Sequence, residues 1–217
     1  MKKIADPIIY LFIAMLAVSG CTNETKEKAG ENNANDTGGK SPVIVKETDS
    51  VPKSPKSESI SFEVSTTGES DLGKLVVQTH GLEHNQRFQL DREGKVTDTL
   101  ITDLNADGFP ELLVVIQSEG SGSYGSVIAF SVNNGKSVSQ VSFRPEQENP
   151  EMNKGYMGHD RFFIKESKLF REFPIYREGD PNANPTGGIR RIQYKMVDGE
   201  ASRILAPDKI MDLPSEE

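Results

Sequence analysis

Apolar residues fall into two regimes along the chain. The first is one uninterrupted run from Ile8 to Val18, preceded by Lys2 and Lys3. A charged start followed by an apolar core of this length predicts a secretory signal, because the run is too short to span a bilayer as a helix. From Thr22 to about Ser59 the sequence turns polar, with Val43-Ile44-Val45 as its one apolar cluster. Such a stretch cannot bury enough surface to order itself. With mixed charges and Pro52 and Pro55, it reads as a leash reaching a few tens of ångströms, using roughly 5 to 6 Å times the square root of its length. The second regime begins at about residue 60, where apolar residues come in short runs.

These later runs are rich in β-branched and aromatic residues and are bounded by Gly, Asn, Asp or Pro, which predicts strands. The expected strands are Ile60 to Val64, Leu75 to Thr79, Phe88 to Leu90, Val96 to Thr102, Glu111 to Gln117 and Ser126 to Val132 in the first half. Val138 to Phe143, Phe162 to Ile164, Leu169 to Tyr176, Ile189 to Met196 and Ser202 to Leu205 complete the series. Asn133-Asn134-Gly135, Glu166-Ser167-Lys168 and Asp198-Gly199 are hairpin-like connections, and no amphipathic helical stretch of ten or more residues interrupts the series. The expected fold is all-β, an antiparallel β-sandwich or barrel-like domain. The expected organisation is a signal peptide over 1–20, a tether over 21–59 and the folded domain over 60–217.

Charge narrows the partners. The 217 residues carry a formal charge of -8 at pH 7, and the sequence pI is about 5.1. Losing Lys2, Lys3 and Asp6 with the signal would make the chain one unit more acidic. A nucleic-acid binder needs a basic surface to neutralise phosphates, so that class is excluded, whereas a cationic protein partner is electrostatically welcome. The chain has one cysteine, which rules out an internal disulfide. That cysteine ends Val18-Ser19-Gly20-Cys21, which resembles the bacterial lipobox. The resemblance implies a lipid on Cys21 and anchoring at a membrane, since each buried methylene contributes about 0.8 kcal/mol. Thr22, in place of an Asp after the cysteine, favours the periplasmic face of an outer membrane.

Two loops carry candidate chemistry. In Asp103-Leu-Asn105-Ala-Asp107-Gly108-Phe109-Pro-Glu111 the side-chain oxygens stand at positions 1, 3, 5 and 9, with Gly at 6. Ca2+ takes such oxygens together with a backbone carbonyl, here that of Phe109. No other cofactor is called for. An EF-hand is excluded because position 12 is Val114 and the flanks read as strands. The alternative is an Asx-rich turn whose carboxylates cap backbone N–H groups without metal. The second loop is Ser118-Glu-Gly-Ser121-Gly122-Ser123-Tyr124-Gly125. It is either a hairpin tip with Tyr124 folded back on the sheet, or a projecting key whose Ser121 and Tyr124 hydroxyls hydrogen-bond to carboxylates.

The run Asp103 to Leu112, the Ser-Gly-Ser-Tyr at 121–124 and Ala129-Phe130 together resemble the bacterial periplasmic inhibitors of invertebrate-type (I-type) lysozyme. Pro185-Thr-Gly-Gly-Ile-Arg190-Arg-Ile-Gln-Tyr194 resembles a further stretch of those proteins. The resemblance implies a non-enzymatic β-sandwich that evades host defence by plugging the lysozyme groove, with Ser121 and Tyr124 as contacts and Gly122 and Ser123 shaping the loop. Lysozymes flank the scissile bond with two carboxyl groups, which hydroxyl donors would occupy. Arg190 is a further candidate contact, although Arg at the start of an exposed strand also serves as an edge device. A homodimer is compatible with the sequence. The rival function is a calcium-dependent envelope or adhesion module centred on Asp103–Glu111. His80-Gly-Leu-Glu83-His84 has the letters of an inverted zinc motif, but that motif needs a helix where this stretch is strand-like.

Overall fold

A computed structural model describes residues 41–43, 59–68, 71–143 and 150–214, all within the unit spanning Thr37–Glu217. The expected signal, Cys21 and most of the expected tether lie outside the described residues. The strands are β1 (Ser41–Val43), β2 (Ser61–Gly68), β3 (Leu72–His80), β4 (Arg87–Glu93), β5 (Lys95–Thr102) and β6 (Glu111–Gln117) in the first half. The second half holds β7 (Gly125–Asn133), β8 (Ser137–Val141), β9 (Arg161–Lys165), β10 (Lys168–Pro174), β11 (Ile189–Asp198) and β12 (Arg203–Leu213). They form three four-stranded antiparallel sheets, ordered β1-β2-β3-β4, β5-β6-β7-β8 and β12-β11-β10-β9. The one helical element described beside them is a 3-10 turn at Pro150–Asn153, and none of the described helices is long and apolar enough to cross a membrane.

All eleven expected strands are present, and the sheets remain open, so the barrel-like alternative is not the one adopted. β1 adds a strand inside the stretch expected as tether, where Val43 pairs in register with Val64.

The three sheets stack as layers because the middle one is apolar on both faces. Leu112, Val114, Ile116, Phe130 and Val132 meet Phe62, Val64, Leu75 and Val77 of the first sheet. Leu113, Val115, Val127 and Ala129 meet Phe162, Leu169, Phe173, Ile192 and Tyr194 of the third. Side chains alternate between faces along a strand, so a strand covered on both sides must be apolar throughout. That is why Leu112 to Ile116 is a continuous run with every residue buried. Burying each such Leu, Val or Ile contributes about 1.5 to 3 kcal/mol. The outer sheets show one apolar face and one polar face, as in the alternating burial of β11.

Tight connections set the registers. Asn134 and Gly135 take φ of 52° and 72°, and Lys136 N–H closes the turn on Asn133 O at 2.9 Å. The left-handed backbone there is one that Asn and Gly tolerate. Beyond β8, Ser142 and Leu205 exchange a backbone bond of 2.9 Å, which ties the middle sheet to β12.

Candidate functional site

The loop between β6 and β7 is closed on itself. Ser118 N–H donates to Tyr124 O at 2.8 Å, Tyr124 N–H to Ser118 Oγ at 2.9 Å, and Ser123 N–H to Gly120 O at 3.2 Å. Ser123 bends the tip with φ of 41°. Gly122 leaves room for the ring that lies over it, because a Cβ there would stand 2.5 Å from Cε2 of Tyr124. The Tyr124 ring therefore rests on Gly122, and its edge meets Tyr156 at 5.7 Å between centroids. Half the residue, 51%, stays exposed. Ser121 is exposed as well, and its carbonyl accepts from Asn182 Nδ2 at 2.9 Å. These bonds run through the backbone of Ser121 and Tyr124 and use neither hydroxyl. The two readings of the loop merge here, since Tyr124 is supported from below and open above.

A buried polar cluster holds the base of this loop. Asp160 accepts from Arg171 Nε at 2.6 Å, from Gly125 N–H at 2.7 Å and from the Tyr156 hydroxyl at 2.5 Å. Gln117 Nε2 donates to Asp160 O at 3.1 Å, so both ends of the loop are pinned to one residue. The Arg171 guanidinium lies 4.5 Å from the Tyr156 ring centre and 4.8 Å from that of Phe173. Burial pushes the Tyr156 hydroxyl far above the usual tyrosine range, and its bond to Asp160 adds to this. Burial alone would lower Arg171, but the Asp160 carboxylate outweighs it and the net direction is up. A buried ion pair contributes little net stability because both charges lose water. What this one secures is position, joining the start of β7 to the third sheet. Tyr156, Asp160 and Asn182 stand in segments without strand periodicity, and Arg171 stands within an expected strand whose pattern does not say what its charge meets.

The Asp103–Glu111 loop is arranged inward. Asp103 takes the N–H groups of Asp107 (3.1 Å) and Gly108 (2.9 Å), Asp107 takes that of Phe109 (2.9 Å), and Asn105 Oδ1 takes that of Asp107 (3.1 Å). Glu111 is fully buried, accepting from Leu104 N–H and Ser131 Oγ, each at 2.7 Å. Burial pushes its carboxyl up to about 7. Phe109 packs into the core between the first and middle sheets. Arg203 reaches across from β12 to Asp107 (3.3 Å), to Val132 O (3.1 Å) and to Ser131 Oγ. The side-chain oxygens thus serve the loop's own backbone and neighbouring strands. Among the described residues no group of three or more His, Cys, Asp or Glu side chains is arranged to hold a metal ion.

Other candidates lie apart. Arg190 is 9% exposed. Its guanidinium spans both oxygens of Asp212 at 2.8 and 2.9 Å and reaches the carbonyls of Glu151 (2.8 Å), Met152 (3.1 Å) and Lys154 (3.2 Å). Most of its donors are engaged inside the fold. His80 ends β3 and faces Glu63 at 3.6 Å, while Glu83 and His84 sit in the following turn, not on a helix.

The middle sheet and the two loops it carries fall within a family match. Residues 80–149 match the family model described as periplasmic lysozyme inhibitor of I-type lysozyme. The matched segment opens at the last residue of β3 and contains β4 to β8, the Asp103–Glu111 loop and the Ser121–Tyr124 loop. The stretch Pro185–Tyr194, and the third sheet with Asp160 and Arg171, lie beyond it. No curated protein matches the chain.

Proposed function

We propose that the chain is a proteinaceous inhibitor of I-type lysozyme, acting without catalysis by inserting the loop of Ser121, Gly122, Ser123 and Tyr124 into the enzyme's groove. The observation that carries this is the coincidence of the family match with the middle sheet that displays the loop. The loop has the properties an inhibitory key needs. Small residues keep it narrow, two hydroxyls sit on exposed residues, and the Tyr124 ring is already held by Gly122 and Tyr156. A side chain ordered before binding loses little entropy on binding. Hydroxyls donating to carboxylates make stronger bonds than neutral pairs, and a lysozyme groove offers two carboxyl groups.

The lipobox-like Val18-Ser19-Gly20-Cys21 and the polar stretch after it fit an inhibitor held on a leash in the cell envelope, where such an enzyme would attack peptidoglycan. The test is lysis of peptidoglycan by I-type, chicken-type and goose-type lysozymes in the presence of the soluble Cys21→Ser protein. Selective protection against the I-type enzyme is the expected result. Protection against none of the three would overturn the proposal, and calcium-dependent binding to envelope material would replace it.

A further inference from the structure

The key loop has a neighbour of its own kind. The segment from Tyr156 to Asp160 runs beside it, and His159 N–H donates to Gly122 O at 2.6 Å. Its backbone is held in an uncommon shape, with φ of 93° at Gly158 and 59° at His159. A non-glycine residue in the left-handed region costs on the order of 1 kcal/mol and persists where the surroundings enforce it. Here they do, since a Cβ on Gly158 would overlap the Gly122 carbonyl and the His159 N–H is committed to that same oxygen. The turn leaves the imidazole stacked 6.4 Å from the Tyr176 ring, with Nε2 3.5 Å from Asn182 Oδ1. Asn182 is the residue that also holds Ser121 O, so one side chain touches both the key and the histidine.

Met157 precedes this turn and is 42% exposed. Single exposed apolar side chains are ordinary. Met157 and Tyr124, however, lie on two segments joined by the His159–Gly122 backbone bond, and exposed Met and Tyr are residue types enriched in binding surfaces.

We infer that the partner is gripped by more than one loop, with Met157 and His159 forming a second contact beside Ser121 and Tyr124. This rests on the proposed inhibitor function. The occupant is the wall of the lysozyme groove. Its carboxyl groups match an imidazole N–H, and Met157 supplies adaptable apolar surface to a site that binds the faces of sugar rings. The strain at His159 then has a use, as it brings the imidazole next to the key.

The test compares inhibition of an I-type lysozyme by the parent, Met157→Asp, His159→Asn and the Ser121→Ala, Tyr124→Ala double variant, each with its melting temperature. Asn tolerates the left-handed region, and Asp at an exposed site leaves the core untouched while facing the enzyme's carboxylates. The expected losses are about 100-fold for Met157→Asp and about tenfold for His159→Asn, at unchanged melting temperature. Should His159→Asn melt early, Met157→Asp decides alone. Full inhibition by Met157→Asp, with the double variant inactive, would confine the contact to one loop and overturn this inference while leaving the proposed function standing. A parent that inhibits no I-type lysozyme would remove both.

Discussion

Glu111 shows how one buried group can make stability depend on pH. Its folded carboxyl titrates at about 7, against an ordinary value of 4.5, because it is buried. The folded chain therefore holds this proton more tightly than the unfolded one. Stability from this group is fully present below about pH 4.5, declines as pH rises, and levels off above about 7. The difference amounts to about 3 kcal/mol at 1.36 kcal/mol per pKa unit. Denaturant unfolding between pH 4 and 8 should show this fall, and Glu111→Gln, which stays neutral, should flatten it. An unchanged slope in the variant would assign the effect to other groups. Asp160 plays a different part, as it forms an ion pair with Arg171 in which the two side chains are 0% and 3% exposed. Asp160→Asn would leave the Arg171 charge buried without its partner, with an expected loss of about 3 to 5 kcal/mol in unfolding free energy. Inhibition should weaken as well, since the same carboxylate holds Gly125 at the base of the key.

At the scale of elements, turns reveal where the sequence is not optimal. Glu166 and Ser167 join β9 to β10 with φ of 51° and 53°, a mirror-image turn that Asn-Gly fills with less strain. Glu166→Asn with Ser167→Gly should stabilise the protein by about 1 kcal/mol, seen as a rise of several degrees in melting temperature. No rise would mean that the parental turn carries no strain. The strands themselves were legible in the sequence because each is a short β-branched or aromatic run between turn residues, and Glu111–Gln117 was located to the residue. Its unbroken apolar run goes with cover on both faces, which the expectation of a sandwich or barrel-like domain did not specify. β1 was not legible, since three residues within a polar stretch carry no period of their own. The Asp103–Glu111 loop was ambiguous for a physical reason. The oxygens that could bind a cation are the same ones that cap N–H groups, and spacing alone does not say which they do. The partners of Arg190 were not legible either, because Asp212 and the Pro150–Asn153 turn that bond it come from elsewhere in the chain.

The described unit displays a small surface on a three-layered scaffold. The middle sheet is clamped between two others, and the loop leaving it is pinned at Gln117 and Gly125 to one buried carboxylate residue. A net charge of -8 favours encounter with a basic enzyme through long-range attraction, an effect that salt screens. In the proposed inhibition the exposed hydroxyl-bearing tip, and not the general surface, blocks the enzyme. The most direct measurement is the inhibition constant of the Ser121→Ala, Tyr124→Ala variant against an I-type lysozyme, taken alongside its melting temperature. The expected result is a loss of at least about 100-fold with the melting temperature unchanged. Inhibition equal to the parent's in a fully folded variant would contradict it.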